Sequence, residues 1–146
     1  MTHVEQSLVA VLTEQIRCAE AMLGTLSREN QALVDGDAEL LNAAGADKAR
    51  LVEKLEALES ERRALAAAIE TAVDAGEQGE THGKWQSLLQ LIATCKQQNQ
   101  RNGALVKART EQVRAALKLL RGTEPEIYDP KGLSPSSQSK RSLGSA

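Results

Sequence analysis

The chain has 146 residues, enough for one domain, with 41% hydrophobic residues but no Phe, one Trp and one Tyr. Leu and Ala dominate the apolar content; both suit helices, while the β-branched and aromatic residues that favour strands are scarce. A formal charge of −2 from 18 basic and 20 acidic residues gives no broad cationic field, so nucleic acid is not an expected partner. No apolar run approaches the ~20 residues needed to cross a bilayer, so no direct membrane insertion is expected. The opening MTHVEQSLVAVL has neither a basic leader nor a continuous apolar stretch, and it does not read as a signal peptide. Two isolated cysteines, Cys18 and Cys95, do not form a disulfide framework. These features predict a cytoplasmic all-α protein.

Residues 2–34 form the first predicted helix. Leu8, Leu12, Ile16, Ala19, Leu23, Leu26 and Leu33 recur at helical spacing, and Glu14, Gln15, Arg17, Glu20, Arg28 and Glu29 are suited to water. The pattern breaks at residues 34–37, where Gly36 can adopt the left-handed conformation that ends a helix and Asp37 can cap the next.

The second predicted helix covers residues 38–75. Its stripe is Leu40, Ala44, Asp47, Leu51, Leu55, Leu58, Arg62, Leu65, Ile69 and Ala72. Such a helix extends its stripe over roughly 55 Å, which must be covered by other long helices. The period continues through Gly45. Residues 76–83, GEQGETHG, read as a turn-rich break.

The third predicted helix spans residues 84–120. Trp85, Leu88, Ile92, Cys95, Asn99, Asn102, Val106, Arg109, Val113, Ala116 and Leu120 alternate spacings of three and four, as in coiled coils. Leu89, Leu91, Leu105 and Leu117 widen the stripe, and Gly122 ends the helix. Pro125, Pro130 and Pro135 exclude a continuing helix beyond it, and the last dozen residues read as a disordered tail. The expected architecture is all-α: an elongated antiparallel bundle or coiled coil of three long helices. It divides into a helical domain at 1–122 and a flexible tail at 123–146.

No pattern of catalysis or metal binding emerges. His3 and His82 lack ligand-spaced Cys or carboxylate neighbours. Cys18 and Cys95 fall on apolar faces, where a thiol is usually a small buried hydrophobe. No phosphate-binding, nucleophile-elbow or metalloprotease motif is present. The expectation is a protein that binds other proteins, with no catalytic residue, metal or cofactor.

Three features stand out. Asn99 and Asn102, followed by Gly103, interrupt the apolar seam; buried amides there either fix helix register or mark a face open to a partner. Leu105, Val106, Val113, Leu117, Leu119 and Leu120 give more apolar width than one seam needs, which suits either core or a guest helix. Tyr128, in IYDPKG, lies outside the helices, as a turn residue or a recognition element.

The order of a long Leu-rich helix, a second helix with Lys54 and Arg62, and Trp85 opening a third is followed by NQRNG (99–103) and YDPKG (128–132). Together these resemble the FlgN family of bacterial flagellar export chaperones, over nearly the whole chain to about Gly132. The more distinctive part is Asn-x-x-Asn-Gly followed some 25 residues later by Tyr-x-x-x-Gly. The resemblance implies a cytoplasmic type III export chaperone for hook-filament junction (hook-associated) proteins, engaging their C-terminal helical segments. It maps substrate binding onto Asn99, Asn102, Gly103, Val106, Val113, Leu117 and Leu120, and docking on the membrane-bound export gate onto Tyr128. A homodimer in the free state stays open, and the rival reading is a structural coiled-coil adaptor or scaffold.

Overall fold

A computed structural model describes residues 2–72 and 79–122. Three helices account for nearly all of them, in the order α1 (His3–Asp35), α2 (Ala38–Ala72) and α3 (Gly79–Arg121), and the described residues contain no strand. The all-α expectation holds. Tyr128 and the predicted tail lie outside the described residues, as does the stretch 73–78 where the second helix was expected to end.

Short-range chemistry sets the ends of the helices. The Thr2 side chain accepts the Glu5 amide at 3.1 Å, capping the first turn of α1. At its other end Gly36 takes φ 71°, and the Asp37 amide bonds back to the Ala32 carbonyl at 3.0 Å. That left-handed position favours glycine because a Cβ would be strained there. The Asp37 carboxylate then accepts the Leu40 amide at 3.0 Å and starts α2. Two residues thus suffice to reverse the chain. Gly122, at φ 68°, closes α3 in the same way through a bond to the Leu119 carbonyl at 3.1 Å.

One boundary differs from the sequence reading. Residues 79–83 belong to α3, although GETHG was expected to be part of a break. A helical glycine costs about 1 kcal/mol relative to alanine but does not forbid the helix. Glu80 in the first turn complements the helix dipole, and half-buried Thr81, Lys84 and Trp85 begin the packed face directly.

The chain divides into two compact units, Met1–Leu105 and Val106–Ala146. Within the first, cross-helix contacts report the directions. Arg28 reaches Asp47 at 3.1 Å, Lys48 reaches Glu29 at 3.0 Å and Gln15 reaches Glu59 at 3.1 Å, so α2 runs against α1. Cys95 bonds the Ala19 carbonyl and Asn102 the Leu26 carbonyl, so α3 up to Leu105 runs parallel to α1.

Helix α1 is the centre of this unit. It buries three adjacent columns of seven-residue period: Leu8, Gln15 and Met22; Leu12, Ala19, Leu26 and Leu33; and Val11, Cys18, Thr25 and Ala32. A helix with one neighbour needs only a narrow stripe, whereas one facing two neighbours must bury a wider sector. This corrects Gln15, expected on the water-facing side and found 3% exposed. Leu8, Leu12, Ala19 and Leu88 form one apolar cluster with Ile16, Leu65, Ile69, Trp85 and Leu91 around it. Met22, Leu26 and Cys95 form a second with Leu23, Leu51 and Leu55. Helix α2 lies on the outside: its predicted stripe is the less exposed side, yet up to Ile69 only Ala44 is fully buried.

Candidate functional site

The seam of α3 in the first unit is the column Leu88, Cys95 and Asn102, with Leu91, Gln98 and Leu105 half-buried beside it. The expected stripe leaned the other way, through Ile92 and Asn99, and both are exposed. Alternating spacings of three and four fit either flank of a heptad column equally well, so only packing could choose between them.

Asn102 is 2% exposed, and its amide is fully engaged within the chain. Its Nδ2 donates to the Leu26 carbonyl at 2.9 Å and to Glu29 Oε1 at 2.8 Å, and its Oδ1 accepts from Asn30 at 3.1 Å. Lys48 joins from α2, donating to both Glu29 oxygens and to Asn99 Oδ1 at 2.7 Å. A buried amide with fixed donors and acceptors tolerates one register only, since a slip would leave them unpaired. Asn99 lies at the surface end of this network, and Gly103 is exposed with open space around it. The Asn-x-x-Asn-Gly element therefore divides into one seam residue and two surface residues.

Trp85 holds a second cross-helix contact, with the Arg62 guanidinium 4.3 Å from its ring centre. Arg62 also pairs with Glu59 at 2.7 Å, and Glu59 accepts from Gln15 and Arg63. The Arg62 bond foremost, aided by Gln15 and Arg63 and opposed by burial, holds the Glu59 carboxyl down at about 2. The contact explains two residues that were noted in the sequence without a role.

Beside it lies an open groove of about 630 Å³, lined by Val52 and Leu55 from α2 and by Trp85, Leu88, Leu89 and Ile92 from α3. Sequence reading missed it: Leu89 and Ile92 were placed in the covered stripe. The Gln15 Oε1 at its wall has no hydrogen-bond partner among the described residues.

The remaining expected residues belong to the second unit. Val106, Val113, Leu117 and Leu120 are 45, 57, 44 and 83% exposed, and Leu119 is 83% exposed. Every described residue from 110 to 122 is exposed. The helical period brings Val106, Val113, Leu117 and Leu120 onto one line, and that line is bare. The predicted site thus separates into Asn99, Asn102 and Gly103 in the first unit and four apolar residues in the second.

Cys18 and Cys95 are buried, and burial pushes both thiols above their ordinary range, away from the reactive thiolate. No group of His, Cys, Asp or Glu among the described residues could hold a metal ion. No helix among them is long and apolar enough to cross a membrane.

No protein of curated function and no solved structure was found to match the chain. A family does match: FlgN, described as FlgN protein, over residues 1–136. That span includes the three helices, the Asn-x-x-Asn-Gly element, the exposed apolar line and Tyr128. The chain belongs to the FlgN family of flagellar export chaperones.

Proposed function

We propose that the exposed face of residues 106–120 receives the C-terminal helical segments of hook-filament junction proteins in the cytoplasm. Covering them prevents premature assembly until the chaperone delivers its client to the type III export gate. The observation that carries this reading is the bare line of Val106, Val113, Leu117 and Leu120. An amphipathic guest helix docks through anchors at i, i+3, i+4 and i+7, the spacings this line offers in return. A chaperone that releases its client needs such a surface and no bond-making chemistry.

The polar trio has a different part in this proposal. Asn102 contributes by holding α3 in register on α1, while Asn99 and Gly103 stay at the surface. Tyr128 is proposed as the export-gate contact.

The decisive experiment combines Val113→Asp with Leu117→Asp and measures binding of junction-protein C-terminal fragments beside the helical circular dichroism. Lost binding with unchanged helicity is expected. Unchanged binding would remove this face from consideration and turn attention to the groove at Leu89 and Ile92. For Tyr128, Tyr128→Ala is expected to leave fragment binding intact and to impair export. Equal loss of both would assign Tyr128 to the fold. On a sizing column a 1:1 complex with a fragment is expected; a stable homo-oligomer blind to every fragment would support the structural adaptor instead.

A further inference from the structure

The apolar line of residues 106–120 is bordered by basic residues chiefly on one side. Residues 106–121 hold five basic residues, Lys107, Arg109, Arg114, Lys118 and Arg121, against one acidic residue, Glu111, in a chain whose net charge is −2. At about 100° per residue, Val106, Val113, Leu117 and Leu120 fall within some 40° of a common direction. Lys107, Arg114, Lys118 and Arg121 fall together on one flank, about 100° round from it. All four are exposed. The opposite flank carries Leu105, Gln112 and Leu119, with half-buried Arg109 about 50° from the apolar line, and Glu111 lies behind the basic ridge, away from that line.

We infer that the guest accepted by this face is an acidic amphipathic helix, with Asp or Glu at heptad spacing along the edge that meets Lys107, Arg114 and Lys118. This rests on the proposal that residues 106–120 bind the client, and it adds the client's charge and orientation. In helix pairs, residues bordering the apolar seam set partner choice and direction through their charges. Four basic residues on one flank against Arg109 alone on the other break the symmetry of an otherwise featureless stripe. An acidic edge can face it in one azimuth only, and a basic edge is repelled.

A basic amphipathic helix can also lie on an anionic membrane. Interfacial helices typically set basic residues over a broad polar face and bury Trp or Phe among the apolar ones. Here four of the five basic residues sit on one flank, and residues 106–121 contain no aromatic side chain. The pattern favours a protein helix.

The test titrates the full chain with a junction-protein C-terminal helical fragment, at low and at physiological salt. The variants are the Lys107→Glu, Arg114→Glu, Lys118→Glu triple and the Val113→Asp, Leu117→Asp pair. The triple is expected to weaken binding about 30-fold at low salt, and the wild-type affinity to fall as salt rises. Changing the fragment's acidic edge to Lys should restore binding to the triple variant. If the triple binds as tightly as wild type, and salt has no effect, the acidic-guest inference is overturned while the apolar face stands. If the Val113, Leu117 pair binds normally, the face itself is wrong. Vesicles of phosphatidylcholine with phosphatidylglycerol form a parallel arm. Ridge-dependent vesicle binding with salt-insensitive fragment binding would assign the ridge to lipid and overturn the inference.

Discussion

Helix α1 and the last four turns of α3 draw on the same apolar vocabulary of Leu, Val and Ala, yet their fates are opposite. On α1, three adjacent columns are buried, down to a glutamine and a threonine. On residues 110–120 nothing is buried, Val113, Leu117 and Leu120 included. The difference is not one of hydrophobicity, since Leu120 is as apolar as Leu12. It lies in whether other described residues cover the face. Apolar residues aligned on one helical face without a neighbour are the physical condition for recruiting one from outside.

The comparison breaks most sharply at Val113 and Leu117. Burying two such side chains contributes about 1.5–3 kcal/mol each. Aspartates at both positions are therefore expected to lower fragment affinity by more than about 100-fold without changing stability, as read by titration and thermal melts. Next comes a matched pair of truncations. Leu12→Ala is expected to destabilise the free protein by about 2–5 kcal/mol, and Leu120→Ala by less than about 0.5 kcal/mol, both measured by urea unfolding. Equal costs would mean that residue 120 is covered in solution.

A smaller contrast separates the two asparagines. Asn102→Ala removes the bonds to Leu26, Glu29 and Asn30 at a buried position and is expected to cost about 1–3 kcal/mol. Asn99→Ala, at the surface, should stay within about 0.5 kcal/mol by the same unfolding assay. The smallest effect is one of pH. The Glu59 carboxyl stands at about 2, below its ordinary 4.5. Its contribution is therefore present above about pH 4.5 and disappears as the pH falls toward 2, where the folded-state carboxyl at last takes up its proton. Glu59→Gln should remove this part of the acid sensitivity, seen as a smaller drop in melting temperature between pH 6 and pH 3. An unchanged drop would show that the bond to Arg62 is not kept in solution.

Much of the fold was readable residue by residue. Gly36 and Asp37 announced the reversal between α1 and α2 because left-handed backbone and side-chain capping are local chemistry. The apolar period located all three helices for the same reason. The start of α3 at Gly79 escaped because glycine lowers helix propensity by an amount that packing at Trp85 can override. Gln15 was read as water-facing because a sequence gives the period of a stripe more clearly than its width. Of the expected site, the surplus apolar width of Val106 to Leu120 was visible in the sequence but its exposure was not, and the separate placements of Asn99 and Asn102 rest on which flank of α3 meets α1.

The amino-acid sequence by itself determined the helices, their caps and the family, since these depend on spacings and short motifs within a few turns of chain. Which apolar surfaces are satisfied was decided by tertiary structure alone. Burial is a relation between helices distant in sequence, and the same Leu-rich period serves equally for a core and for an exposed face.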